Sequence, residues 1–151
     1  MKKVPALKNS YGKKQKGFTL IEVVIVLVIG AIILGWASIK GAEAFQTYKV
    51  GVLADDVAVI SKAMGEKYGD KASYAGASMT DLEKILPDEI GDGSGAAPWG
   101  GDYSVGTGSS TRVFTVTVTK IEEDEGEKAV LRWNNATYNS GTETLVVTFG
   151  S

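Results

Sequence analysis

FTLIEVVIVLVIGAIILGWASI, residues 18–39, decides how the rest of the chain is read. These 22 residues hold one charged side chain, Glu22. As a helix the run spans about 33 Å at about 1.5 Å per residue, enough for a hydrocarbon core of about 30 Å. It is apolar on every face for about six turns, whereas a soluble surface helix keeps its apolar residues to one stripe. The h-region of an ordinary secretory signal runs only about 7–15 residues, so this segment is too long for one. A membrane-spanning helix is therefore expected over residues 18–39.

The flanks orient it. Residues 1–17 contain six lysines (Lys2, Lys3, Lys8, Lys13, Lys14, Lys16) and no acid. Positive charge before a span holds that end in the cytoplasm, so the C-terminal body is expected to be exported. Beyond the leader, ten basic residues face all 18 acids, a formal side-chain charge of −8. An acidic body does not suit the phosphate backbone of nucleic acids, and no nucleic-acid partner is expected. The chain has no cysteine and no histidine, which excludes disulfides, thiolate metal sites, Ser-His-Asp triads and Cys-His dyads. Asp88, Glu89, Asp92 and Asp102 lie in glycine-rich sequence and read as solvated loop. No catalytic residue, metal or cofactor is expected, and the protein reads as no enzyme.

A carboxylate inside a bilayer is costly and tends to be paired and functional. Glu22 lies only four residues into the run, where partial hydration near the headgroups is one account of it. Cleavage before Phe18 gives another. It would create an α-amino group four residues from the carboxylate, on the same helical face.

Lys16-Gly17 followed by Phe18-Thr19-Leu20-Ile21-Glu22 and a long apolar run resembles the processing signature of type IV prepilins. The resemblance implies cleavage between Gly17 and Phe18, N-methylation of Phe18, and a role for Glu22 in assembly. It also implies the domain plan: a cleaved basic leader at 1–17, a transmembrane and assembly helix at 18–39, and a globular domain at 40–151. The implied partners are a prepilin peptidase, an inner-membrane assembly platform, a cytoplasmic assembly ATPase and further copies of the chain. The implied location is the bacterial inner membrane, N-terminus inside, before assembly, and an extracellular pilus after it.

The helical pattern continues past the apolar run. Leu53, Val57, Ile60, Met64 and Tyr68 form one stripe at helical spacing, while Asp55, Asp56, Lys62, Glu66 and Lys67 read as a partly solvated face. No proline interrupts residues 18–68, so one helix of about 50 residues is expected. Thr80-Asp81-Leu82-Glu83 reads as a capping box, with Pro87 closing the short helix it opens. Strands are expected at 113–119, where threonines alternate with large apolar residues, at 129–133 and at 144–149. Short links suggest an antiparallel meander. The acids of the first link (Glu122, Glu123, Asp124, Glu125, Glu127) read as a solvated turn. The expected architecture is α+β: a long N-terminal helix, membrane-embedded in its first half, packed on a C-terminal antiparallel sheet. The resemblance implies the same fold.

Pro98-Trp99-Gly100-Gly101 resembles an element that opens the sheet of type IVb pilins, with Trp99 anchoring the turn. Ile39 stands where many type IVa pilins carry a proline, which favours the same side. Phe18 as the first mature residue and the short leader are more typical of type IVa. The usual C-terminal disulfide of the family is absent. The expected function is that of a structural subunit, a major pilin, polymerising through its N-terminal helix. The alternatives are a pseudopilin of a type II secretion system and a minor pilin for adhesion or DNA uptake.

Overall fold

The computed structural model describes residues 17–71 and 73–150. Apart from Gly17, the leader lies outside the described residues. The chain divides into two units between Lys40 and Gly41.

Helix α1 runs over Leu20–Tyr68, 49 residues, so one long helix is found where it was expected. In the first unit its apolar side chains are exposed on all sides, from Leu20 to Ile39. It is long and apolar enough to cross a membrane, and none of its most apolar window is buried. In the second unit the same helix buries a stripe of Val50, Leu53, Val57, Ile60, Ala63, Met64 and Tyr68. Each of the large members contributes about 1.5–3 kcal/mol by leaving water.

That stripe shares one core with the inner face of a four-stranded sheet. The strands are β1 (Tyr103–Thr107), β2 (Phe114–Val118), β3 (Ala136–Asn139) and β4 (Thr144–Phe149), in spatial order β1-β2-β4-β3 and antiparallel throughout. Threonine alternation does set the inner face. Phe114, Val116 and Val118 are buried while Thr115 and Thr117 are not. Across the ladder Val116 faces Val105 and Val147, and Phe114 stacks on Phe149 with ring centroids 5.1 Å apart.

Three expectations fail around the third strand. The acidic link is not a solvated turn but helix α3, Glu123–Val130. Residues 129–133 are no strand: Ala129 and Val130 end α3, and β3 starts at Ala136. The sheet is no simple meander, because β4 lies between β2 and β3. The physical reasons are local. Glu123, Asp124 and Glu125 occupy a first turn, where the helix dipole favours acids, and Lys128 stands near the end, where it favours cations. A short apolar run has no period of its own, so helix and strand look alike in sequence. Glu125 is buried to 4% exposure, and its Oε2 has no hydrogen-bond partner. Gly126 is required where α3 meets β3, because a Cβ there would collide with the Tyr138 ring. That ring is held by its hydroxyl, which donates to the Ile121 carbonyl at 2.6 Å.

The short helix α2, Met79–Leu82, is capped two residues before the expected position, Thr80. Ser78 is the N-cap, and its hydroxyl accepts from the Asp81 N–H at 3.3 Å. Burial of both Met79 and Leu82 fixes this start, since residues three apart share a helix face.

Candidate processing and assembly site

The start of α1 is built by a reciprocal cap. The Glu22 N–H donates to the Thr19 hydroxyl at 3.3 Å, and the Thr19 N–H donates to Glu22 Oε2, also at 3.3 Å. The Thr19 hydroxyl lies 3.5 Å from the same oxygen. The Thr19 N–H, which has no helical partner, is thereby satisfied, and the Glu22 N–H is shared between the Thr19 hydroxyl and the Thr19 carbonyl at 3.0 Å. The signal was legible: Thr19-Leu20-Ile21-Glu22 has the Thr-x-x-Glu spacing of a capping box. Sequence reasoning gave Glu22 an electrostatic account and overlooked Thr19.

Gly17 and Phe18 precede the helix, outside any regular element. Phe18 is 80% exposed, and a Cβ placed on Gly17 would meet nothing within 4 Å. Among the described residues, nothing crowds the Gly17–Phe18 peptide. The structure places Gly17, Phe18 and Glu22 within one short segment, with the carboxylate folded back on the backbone it caps. Five glycines of α1 (Gly30, Gly35, Gly41, Gly51, Gly65) have open space where a side chain would stand, so the chain itself uses none of them for close packing.

In the second unit the expected Pro98–Gly101 turn forms just before β1. Gly100 has φ +75°, a conformation side chains resist, and a Cβ on Gly101 would strike the Thr119 carbonyl. Trp99 packs half-buried against the core rather than inside it, with Lys49 Nζ 5.7 Å from its ring centroid. The loop acids are exposed as expected, yet two of them order the chain: Asp92 accepts from the Ser94 N–H and Asp102 from the Gly95 N–H.

Asp56 is half-buried on the partly solvated face and has a partner that the sequence did not reveal. The Tyr103 hydroxyl donates to it at 2.7 Å, tying α1 to β1. Burial raises the Asp56 carboxyl above the usual range, with the tyrosine hydrogen bond opposing and Asp55 adding to the rise. Burial and the same contact push the Tyr103 hydroxyl far above its ordinary value. Asp81 behaves oppositely. Hydrogen bonds from Ser78 and Tyr68 hold its carboxyl below the usual range. No three metal-ligating side chains gather among the described residues.

Residues 12–38 match the prokaryotic N-terminal methylation motif, the prepilin-type signal. No curated protein and no solved structure matches the chain. With its long N-terminal helix and small antiparallel sheet, the chain has the α+β arrangement of the pilin fold. The motif supports a type IV pilin-like or pseudopilin precursor, processed by a prepilin peptidase and assembled into a filament with pilus machinery.

Proposed function

We propose that this chain is the precursor of a major pilin, a structural subunit that polymerises into an extracellular filament. Residues 1–17 are the leader, residues 18–39 anchor the subunit in the inner membrane before assembly, and residues 40–151 form the part that faces solvent in the fibre. The peptidase cuts between Gly17 and Phe18, and Phe18 becomes N-methylated. The observation that carries this reading is the motif at 12–38 laid over a helix whose apolar side chains no described residue covers. Such a surface requires lipid or further copies of the same helix. Head-to-tail contacts whose rotation does not close give an open fibre, and that is the product proposed.

Removing the leader takes away six lysines, each costly to draw through lipid. Glu22 then meets the new α-amine of a neighbouring subunit, and that pair sets the axial register. An inner-membrane platform and a cytoplasmic ATPase supply the work.

The test is mass analysis of the protein taken from cells. The mature chain should begin at N-methylated Phe18, and Gly17→Val should leave uncut precursor in the membrane. A cell-derived protein that still starts at Met1 sinks the reading.

A further inference from the structure

At the end of α3, Leu131 is 86% exposed, the most uncovered large apolar side chain of the second unit. It lines a groove of about 360 Å³ together with Thr47, Val50, Lys128 and Arg132. Val50 and Leu131 make the groove apolar, Lys128 and Arg132 give it two positive charges, and no acid lines it. Lys128 is held in place by donating to Gln46 Oε1 of α1 at 3.1 Å. On the other flank of Leu131 and Lys128, Asp124 and Glu127 line a separate hollow.

An exposed leucine between two cations is unusual on a body that is acidic overall. Its chemistry suits a surface that is apolar beneath and anionic above, which is the interface of a phospholipid bilayer. Thr47 stands eight residues after Ile39, the end of the apolar run, on the same helix.

We propose that this groove docks on the anionic headgroups of the membrane in which the subunit waits before assembly. Lys128 and Arg132 bind phosphate oxygens, Arg132 through the planar fork that suits them. Leu131 enters the boundary between headgroups and chains. Asp124 and Glu127 are repelled by the same surface, so α3 meets it with its C-terminal end. This rests on the reading that residues 18–39 anchor the chain. It adds a second, weaker and reversible hold that must be released when the subunit leaves the bilayer.

The chain has no cysteine, so Asn134→Cys, in the exposed turn after the groove, can carry a single fluorophore. The membrane-extracted protein is reconstituted in vesicles containing lipids with a nitroxide on the headgroup. Quenching should be strong in vesicles rich in phosphatidylglycerol and weak in pure phosphatidylcholine, and salt should reduce it. Lys128→Gln with Arg132→Gln should shift the docking equilibrium by about 25-fold, at about fivefold per charge. Leu131→Ser should shift it by about tenfold. All three side chains are exposed, and an unchanged circular dichroism spectrum would verify the fold. Equal quenching in the two lipids, or none in either, overturns the proposal. So does quenching that rises with protein per lipid, which would make a second copy the occupant. A chain that fails to float with vesicles overturns the anchoring itself, and the proposal with it.

Discussion

Two stretches of one helix behave as different materials. Residues 20–39 expose apolar side chains all round, while from Val50 onward α1 buries one stripe and leaves the rest to solvent. Helix propensity does not separate them, since both carry glycines and β-branched residues and both are helical. What differs is the placing of polar residues. Asp55, Lys62, Glu66 and Lys67 confine the apolar surface of the second stretch to a width that one sheet can cover. The first has no such boundary, and nothing among the described residues covers it. Polar patterning therefore separates the stretches: one is covered by the chain's own sheet, and the other is proposed to meet lipid or other copies.

The sharpest test of that division is Glu22→Gln. Gln serves at the third position of a capping box as Glu does, so the bonds with Thr19 can survive. Only the charge is lost. If the carboxylate pairs with the amine of an adjacent subunit, removing one partner leaves a buried charge unpaired, at about 3–5 kcal/mol per contact. Insertion and cleavage should be normal, and electron microscopy should find few or no filaments. Filaments of normal number and length would mean that capping is the whole role of Glu22. Glu22→Ala, which removes the cap as well, separates the two roles further.

The second test uses stability. Ile60 is fully buried in the packed stretch, and Ile60→Ala should cost about 2–5 kcal/mol in urea unfolding of the globular part. Leu27 is uncovered in the other stretch, so Leu27→Ala should leave that unfolding curve unchanged. Equal losses at the two positions would erase the distinction between them.

The sequence discloses much of this because long elements carry period. The 49-residue helix, its stripe, and strands β2 and β4 were legible from spacing alone, whereas Gly17, Phe18 and Glu22 were singled out together through the resemblance to prepilins. Short elements were not. The eight residues of α3 offer a run of acids, which charge alone reads as solvent-facing, and a brief apolar tail that fits a strand equally well. Burial of Glu125 and the collision avoided at Gly126 depend on β3 and β4, which lie later in the chain. The place of β4 between β2 and β3 likewise rests on pairing between strands distant in sequence. In the site, the role of Thr19 was readable and overlooked. The bond between Asp56 and Tyr103 was not readable, because it joins residues 47 apart.

Asp56 supplies the smallest effect and the closest parallel to Glu22, one carboxylate in each stretch of α1. Glu22 is proposed to find its charge partner on another copy, while Asp56 has found a neutral partner in its own sheet. The two should therefore differ in how pH acts on them. The Asp56 carboxyl titrates above its ordinary value of 3.8 in the folded protein, chiefly because burial disfavours the charge. The native state thus holds this proton more tightly than the unfolded chain. The stability it contributes is fully present below pH 3.8 and is lost as pH rises through the folded-state value. Asp56→Asn keeps an oxygen that can accept from the Tyr103 hydroxyl and removes the charge. It should therefore stabilise the fold at neutral pH, by less than about 1 kcal/mol because Asp56 is only partly buried and solvent screens it. It should also remove this downward step from the pH dependence of urea unfolding. Tyr103→Phe should act oppositely, costing stability by leaving the carboxylate without its hydrogen bond. If Asp56→Asn destabilises at neutral pH as much as Tyr103→Phe does, the bond requires the charge. Asp56 would then belong with Glu22 as an electrostatic tie rather than stand in contrast to it.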